Sequence, residues 1–321
     1  MKLPKRVTIT EVGPRDGLQA EPAFVATPDK IELINMLAQT GLTRIETTSF
    51  VHPRAIPALA DAAEVMAGIE RVPSVTYSAL VPNPKGAERA LKSNADVWVL
   101  FLSASQSHNR SNVNMEIDES LRGFEPIMEM ARANNQKVRG VISTSFGCPF
   151  EGPVPKAQVI RIARALADLG IETVGLGDTT GMANPVQVAE LASDFIAKVP
   201  VKEFNLHFHD TRNTALANIL AALQVGVTSF DSSIGGLGGC PYAPGATGNV
   251  PTEDVVNMLH EMGVETGIDL EKLLDCAALA ERLVGHTLPS HVYKAGPASR
   301  LAEKVTGYAS GVHETDTRIK V

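Results

Sequence analysis

The sequence predicts an α/β fold, a (β/α)8 TIM barrel followed by a C-terminal helical extension. Two observations predict it. Eight short β-like runs recur along the chain, and helix-like stretches separate most of them. Eight such alternations point to a closed parallel barrel, because an open doubly wound sheet usually has fewer strands. A third observation removes the main rival. The glycine-rich stretch after Ile234 lacks the GxGxxG spacing between a first strand and helix that a dinucleotide fold uses.

The strands are expected at Val7–Glu11, Arg44–Thr48, Val75–Leu80, Val97–Leu102, Val138–Ser143, Thr173–Leu176, Glu203–His207 and Ser229–Ile234. After the first strand, Thr27-Pro28 reads as an N-cap with a proline at the first helical position. Ile31, Ile34, Leu37 and Ala38 then share one apolar face, and Gly41 ends the helix. Val159, Ile162, Ala163 and Leu166 repeat the helical spacing ahead of Gly170. From Thr252 the pattern turns helical again. Residues 1–285 are therefore expected to form one catalytic barrel with its C-terminal helices. Residues 286–321, polar and weakly patterned from about Ser290, read as a mobile or contact-making tail.

Composition narrows the function. The chain has 321 residues, 44% apolar and 20% charged, which suits a soluble globular protein with a large core. A net charge of -7 argues against a general nucleic-acid or membrane-surface binder. No apolar run reaches membrane-spanning length, and Met-Lys-Leu-Pro-Lys-Arg lacks the apolar core of a signal peptide. The three cysteines, Cys148, Cys240 and Cys276, are too few for a disulfide framework, so a reducing cytoplasm is expected.

Barrel enzymes keep their chemistry at the C-terminal ends of the strands. There, Asn205-Leu206-His207-Phe208-His209-Asp210 places two imidazoles at i and i+2, on one side of a strand. Such a pair is half of a divalent-metal site, although ordinary cores and surfaces also hold HxH. Strand one runs into Gly13-Pro14-Arg15-Asp16-Gly17-Leu18-Gln19, where a fixed cation adjoins a hard oxygen ligand; a surface ion pair is the plainer reading. Glu46 is an acid inside an apolar strand, which is costly unless it faces a polar barrel mouth. Asp178-Thr179 follows strand six and fits a turn or helix cap equally well. Strand eight leads to a glycine loop carrying Cys240, a reactive thiol or an inert one, and then to Asn249 before Glu253-Asp254, where capping is the default. Taken together, Asp16, His207, His209 and Asn249 make an N/O ligand set suited to Mg²⁺, Mn²⁺ or a similar ion, without the thiolates of structural zinc.

These residues resemble a known family. Gly13 to Gln19, His207-Phe208-His209-Asp210, and Gly238 to Asn249 are similar to the 3-hydroxy-3-methylglutaryl-CoA (HMG-CoA) lyases. Those enzymes are TIM-barrel metallolyases, alongside the isopropylmalate, homocitrate and citramalate synthases. The resemblance runs from about Val7 to Gly285 and includes Glu46-Thr47-Thr48-Ser49-Phe50, Gly147-Cys148-Pro149 and Gly177-Asp178-Thr179. It implies that Asp16, His207, His209 and Asn249 hold the metal and that Arg15 faces the thioester carbonyl. It further implies that Cys240 lies on a mobile loop, that Glu46 and Asp178 surround the metal, and that Gln19, Ser49 and Thr179 contact substrate or support that shell. A homo-oligomer, a dimer, acting in leucine degradation and ketone-body formation is implied as well. Two segments differ from the family pattern, which usually reads Asp-Thr-Tyr-Gly and Ala-Ala-Ser-Glu. Here they are Asp210-Thr211-Arg212-Asn213 and Ser103-Ala104-Ser105-Gln106-Ser107-His108, so the acyl group is left open.

The expected reaction is metal-dependent cleavage of HMG-CoA, or a related 3-hydroxyacyl-CoA, to acetyl-CoA and acetoacetate or a related keto acid. Asp16, Glu46 and His207 all stand as candidate bases, Arg15 as the stabiliser of charge on the thioester oxygen, and Cys240 as the acid. The alternative is an acyl-CoA condensing synthase of the isopropylmalate or citramalate type, against which stand the Cys240 loop and the missing regulatory domain.

Overall fold

The protein is described from a computed structural model, over residues 1–239 and 248–300. Eight parallel strands close in sequence order: β1 (Thr8–Glu11), β2 (Arg44–Ser49), β3 (Thr76–Leu80), β4 (Val97–Ser103), β5 (Lys137–Ser143), β6 (Thr173–Asp178), β7 (Glu203–Phe208) and β8 (Ser229–Ser232). All eight expected strands are present. The last stops before Ile234 because Gly235 and Gly236 take left-handed backbone at φ 64° and 78°, which turns the chain out of the sheet. Closure pairs β1 with β8, Thr10 standing opposite Asp231, while His207 on β7 stands opposite Asp231 from the other side.

Helices α1 (Thr27–Ala38), α2 (Ala62–Gly68), α3 (Pro84–Lys92), α4 (Gln106–Val113), α5 (Ile117–Ala133), α6 (Lys156–Asp168), α7 (Pro185–Lys198) and α8 (Ala215–Gln224) cover the outside of the barrel. They bury their apolar faces against the strands: Leu33, Ile34 and Leu37 of α1 and Val159, Ile162, Ala163 and Leu166 of α6 are wholly enclosed. Thr27 departs from its expected role. It begins α1 itself, and its hydroxyl donates to Asp61 at 2.8 Å, where Lys30 also places its ammonium. A buried lysine needs that carboxylate, and the threonine completes its coordination rather than capping the helix. Gly41 is required: at φ +93° a Cβ would sit 2.1 Å from the carbonyl oxygen of Gly267.

Three further helices complete the described chain: α9 (Thr252–Glu261), α10 (Leu270–Val284) and α11 (His291–Ala295). Leu288 is fully buried. Asp254 of α9 accepts from the Ser290 hydroxyl and from the backbone N–H groups of His291 and Val292, so α11 is tied to α9. Among the described residues no helix is long and apolar enough to cross a membrane.

Candidate active site

Three chain segments meet at the C-terminal mouth. The first is the turn after β1. Val12 C=O accepts from the N–H groups of Arg15, Asp16 and Gly17, a tight wind that projects Arg15 and Asp16 side by side. Gly13 opens it, because a Cβ there would lie 2.7 Å from Glu11 Oε1 and from Ile234 Cγ2. The second is the end of β7, where alternation sends Phe208 into the core against Phe146 and turns His207 and His209 to the mouth. The third is the short arm 248–250. It pairs with 208–210 through Asp210 N–H to Gly248 C=O and Val250 N–H to Phe208 C=O, which sets Asn249 opposite His209. Gly238 leaves room for it, since a Cβ there would stand 2.4 Å from Asn249 Nδ2.

Ligand atoms of Asp16, His207 and His209 lie within 4.8 Å of one another. Asp16 Oδ2 is 3.9 Å from His207 Nε2 and 3.8 Å from His209 Nε2, and it accepts from Asn249 Nδ2 at 2.8 Å. Asn249 Nδ2 also donates to Leu237 C=O at 3.0 Å, which fixes the amide orientation. Asn249 Oδ1 and His209 Nδ1 are buried without a hydrogen-bond partner among the described residues. Buried polar atoms are rarely left so, and the Asn249 oxygen with the Asp16 carboxylate and the Nε2 atoms of His207 and His209 is the kind of donor set a hard divalent cation takes.

Electrostatics fix the charges. Burial alone would raise Asp16, but the Arg15 guanidinium beside it, together with His207, His209 and the Asn249 N–H, holds its carboxyl well below the usual range. Burial, with His207 nearby, lowers His209 to about 4, so it presents a neutral ring. Burial also works against charge on His207, yet Asp231 and Asp16 outweigh it and raise its pKa. Arg15 donates Nη1 to Asp16 at 2.5 Å and Nε to Glu46, one cation serving two carboxylates. Glu46 is 1% exposed and lies just before a register shift in β2, between Glu46 and Thr48.

A cavity of about 420 Å³ opens over this cluster, lined by Arg15, Asp16, Glu46, His207 and His209 and also by Gln19 and Thr179. Ser49 lies outside that lining; its hydroxyl accepts from Val51 N–H at 3.2 Å. Asp178 accepts from the N–H groups of Met182 and Ala183 and is raised to about 6 by burial, so it serves the turn after β6. Cys240 lies outside the described residues. Asp231 and Arg139 were not singled out from sequence, yet Asp231 lines the cavity and stands 3.4 Å from His207 Nδ1. The reasoning applied to Glu46, an acid within an apolar strand, applies equally to Ser229-Phe230-Asp231 and was the available signal.

Residues 6–280 match the HMGL-like family model. The chain belongs to the HMGL-like family. Among HMGL-like relatives it is 53% identical over 290 residues to hydroxymethylglutaryl-CoA lyase YngG of Bacillus subtilis, covering 90% of this chain and 97% of that one. It is 46% identical over 273 residues to the mitochondrial hydroxymethylglutaryl-CoA lyase of Homo sapiens, covering 85% and 84%. The crystal structure of the B. subtilis HMG-CoA lyase superposes with a TM-score of 0.90 at 52% identity, over 92% of this chain and 99% of that one. An HMG-CoA lyase from A. baumannii in complex with coenzyme A and 3-methylmalate superposes equally well, at 0.90 and 46% identity, covering 93% and 98%.

Proposed function

We propose that this HMGL-like protein is a divalent-metal-dependent carbon–carbon lyase that cleaves HMG-CoA to acetyl-CoA and acetoacetate. The observation that carries the reading is the convergence of Asp16, His207, His209 and Asn249 beside Arg15 at one barrel mouth. The four would hold the ion, and Mg²⁺ or Mn²⁺ suits their nitrogen and oxygen donors. A cation bound there would supply Lewis acidity toward a hydroxyl of the substrate.

The remaining chemistry belongs to the side chains. Retro-aldol cleavage leaves negative charge on the thioester oxygen, and Arg15, a permanent cation at the cavity wall, is assigned to meet it. Gln19 and Thr179 line the same cavity and are assigned to substrate contact. The hydroxyl proton goes to one of Asp16, Glu46 and His207, which all face the cavity. Cys240 is assigned as the acid that protonates the acetyl-CoA enolate. The relatives named above are lyases, and the A. baumannii complex with coenzyme A supports an acyl-CoA substrate, so the condensing-synthase alternative is not favoured. A homodimer in the cytoplasm belongs to the same reading, and light scattering checks the assembly.

The deciding experiment assays a panel of 3-hydroxyacyl-CoA thioesters with Mg²⁺ or Mn²⁺ for release of acetyl-CoA. HMG-CoA is expected to turn over best, and Cys240→Ser to keep metal and fold while losing most turnover. Thiol release from acetyl-CoA plus a keto acid, without cleavage, would reverse the assignment.

A further inference from the structure

A file of charged and polar side chains crosses the barrel interior beneath the mouth. Arg139 of β5 is 7% exposed, and its Nη2 donates to Asn205 Oδ1 of β7 and to Asp231 Oδ2 of β8, both at 2.6 Å. To reach them it passes over β6 at Gly175, where a Cβ would lie 3.1 Å from Arg139 Nη2 and 3.2 Å from Asn205 Oδ1. Asn205 Nδ2 continues the file to Ser229 Oγ at 3.1 Å. At its far end Asp231 Oδ2 stands 3.4 Å from His207 Nδ1, while His207 Nε2 points toward Asp16.

We propose that Asp231 is a positioning residue for the active site. It keeps the proton on His207 Nδ1 and so presents the bare Nε2 to the metal, while Arg139 keeps Asp231 in place. This rests on the metal-site reading above. An imidazole that ligates through one nitrogen is oriented by the partner of the other, and a carboxylate is the strongest such partner. Strand register makes the contact inevitable, since His207 and Asp231 are paired residues of neighbouring strands. Arg139 is the counter-charge that makes a carboxylate tolerable at 4% exposure. A purely structural role would stop at that ion pair. The placement of Asp231 Oδ2 between the guanidinium and His207 carries the pair into the metal site.

The test separates the two roles. Asp231→Asn alone removes the carboxylate but strands Arg139, so it is compared with Asp231→Asn/Arg139→Gln, a neutral pair that removes both charges. The double variant is expected to unfold cooperatively near the wild-type Tm yet bind Mn²⁺ on the order of 10- to 100-fold more weakly in a calorimetric titration. Affinity in the double variant equal to wild type would overturn the proposal. Should neither variant fold, ¹⁵N-histidine spectra of the wild-type protein at pH 9, with and without Mg²⁺, decide it. A proton on Nδ1 of His207 is expected, and a proton on Nε2 would refute the role. If wild type itself binds no Mn²⁺, the metal reading fails, and the spectra without metal still report on Asp231.

Discussion

Asn249 donates a side-chain N–H to Asp16 Oδ2 at 2.8 Å, joining the arm before α9 to the turn after β1. The amide's other end, Oδ1, is buried with no hydrogen-bond partner among the described residues. Asn249→Ala should therefore lose both a ligand and the bond that holds Asp16. Mn²⁺ affinity is expected to fall on the order of 10- to 100-fold, read by titration calorimetry. Unchanged affinity would take Asn249 out of the ligand set.

Arg15 offers a second expectation. Lysine has a single point charge and cannot serve Asp16 and Glu46 together as the guanidinium does. Arg15→Lys should lower kcat on the order of 10²- to 10³-fold with little change in KM. Arg15→Met should also lower the Tm, because buried Glu46 would lose the guanidinium it is paired with.

Stability should depend on pH through Glu253. Burial lifts this carboxyl from the ordinary 4.5 to about 8, although both of its oxygens accept from Gly235 N–H. The folded chain thus holds a proton that the unfolded chain releases, so stability is full below pH 4.5 and declines as pH rises through 8. Glu253→Gln removes that titration. Its melting curve should match wild type near pH 5 and exceed it by a few degrees near pH 8.5. A difference independent of pH would contradict the argument.

Acyl preference should follow His108 rather than the other positions that differ from the family pattern. Arg212 spends its Nη1 on the carbonyls of Thr180 and Gly181, and Gln106 Oε1 accepts from Ile117 N–H. Neither lines the central cavity, whereas His108 does. Burial lowers His108 to about 4, so it acts there as a neutral polar group. Arg212→Tyr and Gln106→Glu should leave the ranking of acyl-CoA substrates unchanged, while His108→Phe should move relative kcat/KM on the order of tenfold.

What could be read from sequence was local. Apolar alternation and helix punctuation located all eight strands, and the expense of an acid in an apolar strand identified Glu46. His207 and His209 were legible because a strand's two-residue period keeps both on one face. Asp231 and Arg139 escaped because each makes sense only beside the other. Their side chains come from β8 and β5, 92 residues apart, and meet through the space that Gly175 leaves. Thr27 shows the same limit on a smaller scale. Its position suits a cap, but Asp61, outside the helix and paired with Lys30 within it, decides where its hydroxyl goes.

Because the barrel closes β1 against β8, Asp16, which follows β1, stands beside His207 and His209 at the end of β7 and Asn249 beyond β8. The cluster therefore straddles the seam of the cylinder. An ion held by Asp16 together with these three, as proposed above, would act as a clasp on that seam, recognising only a chain whose first and last strands have met. Mass action then links the metal to closure itself, so adding the cation should raise the melting temperature, and a chelator should make the seam the first place to open.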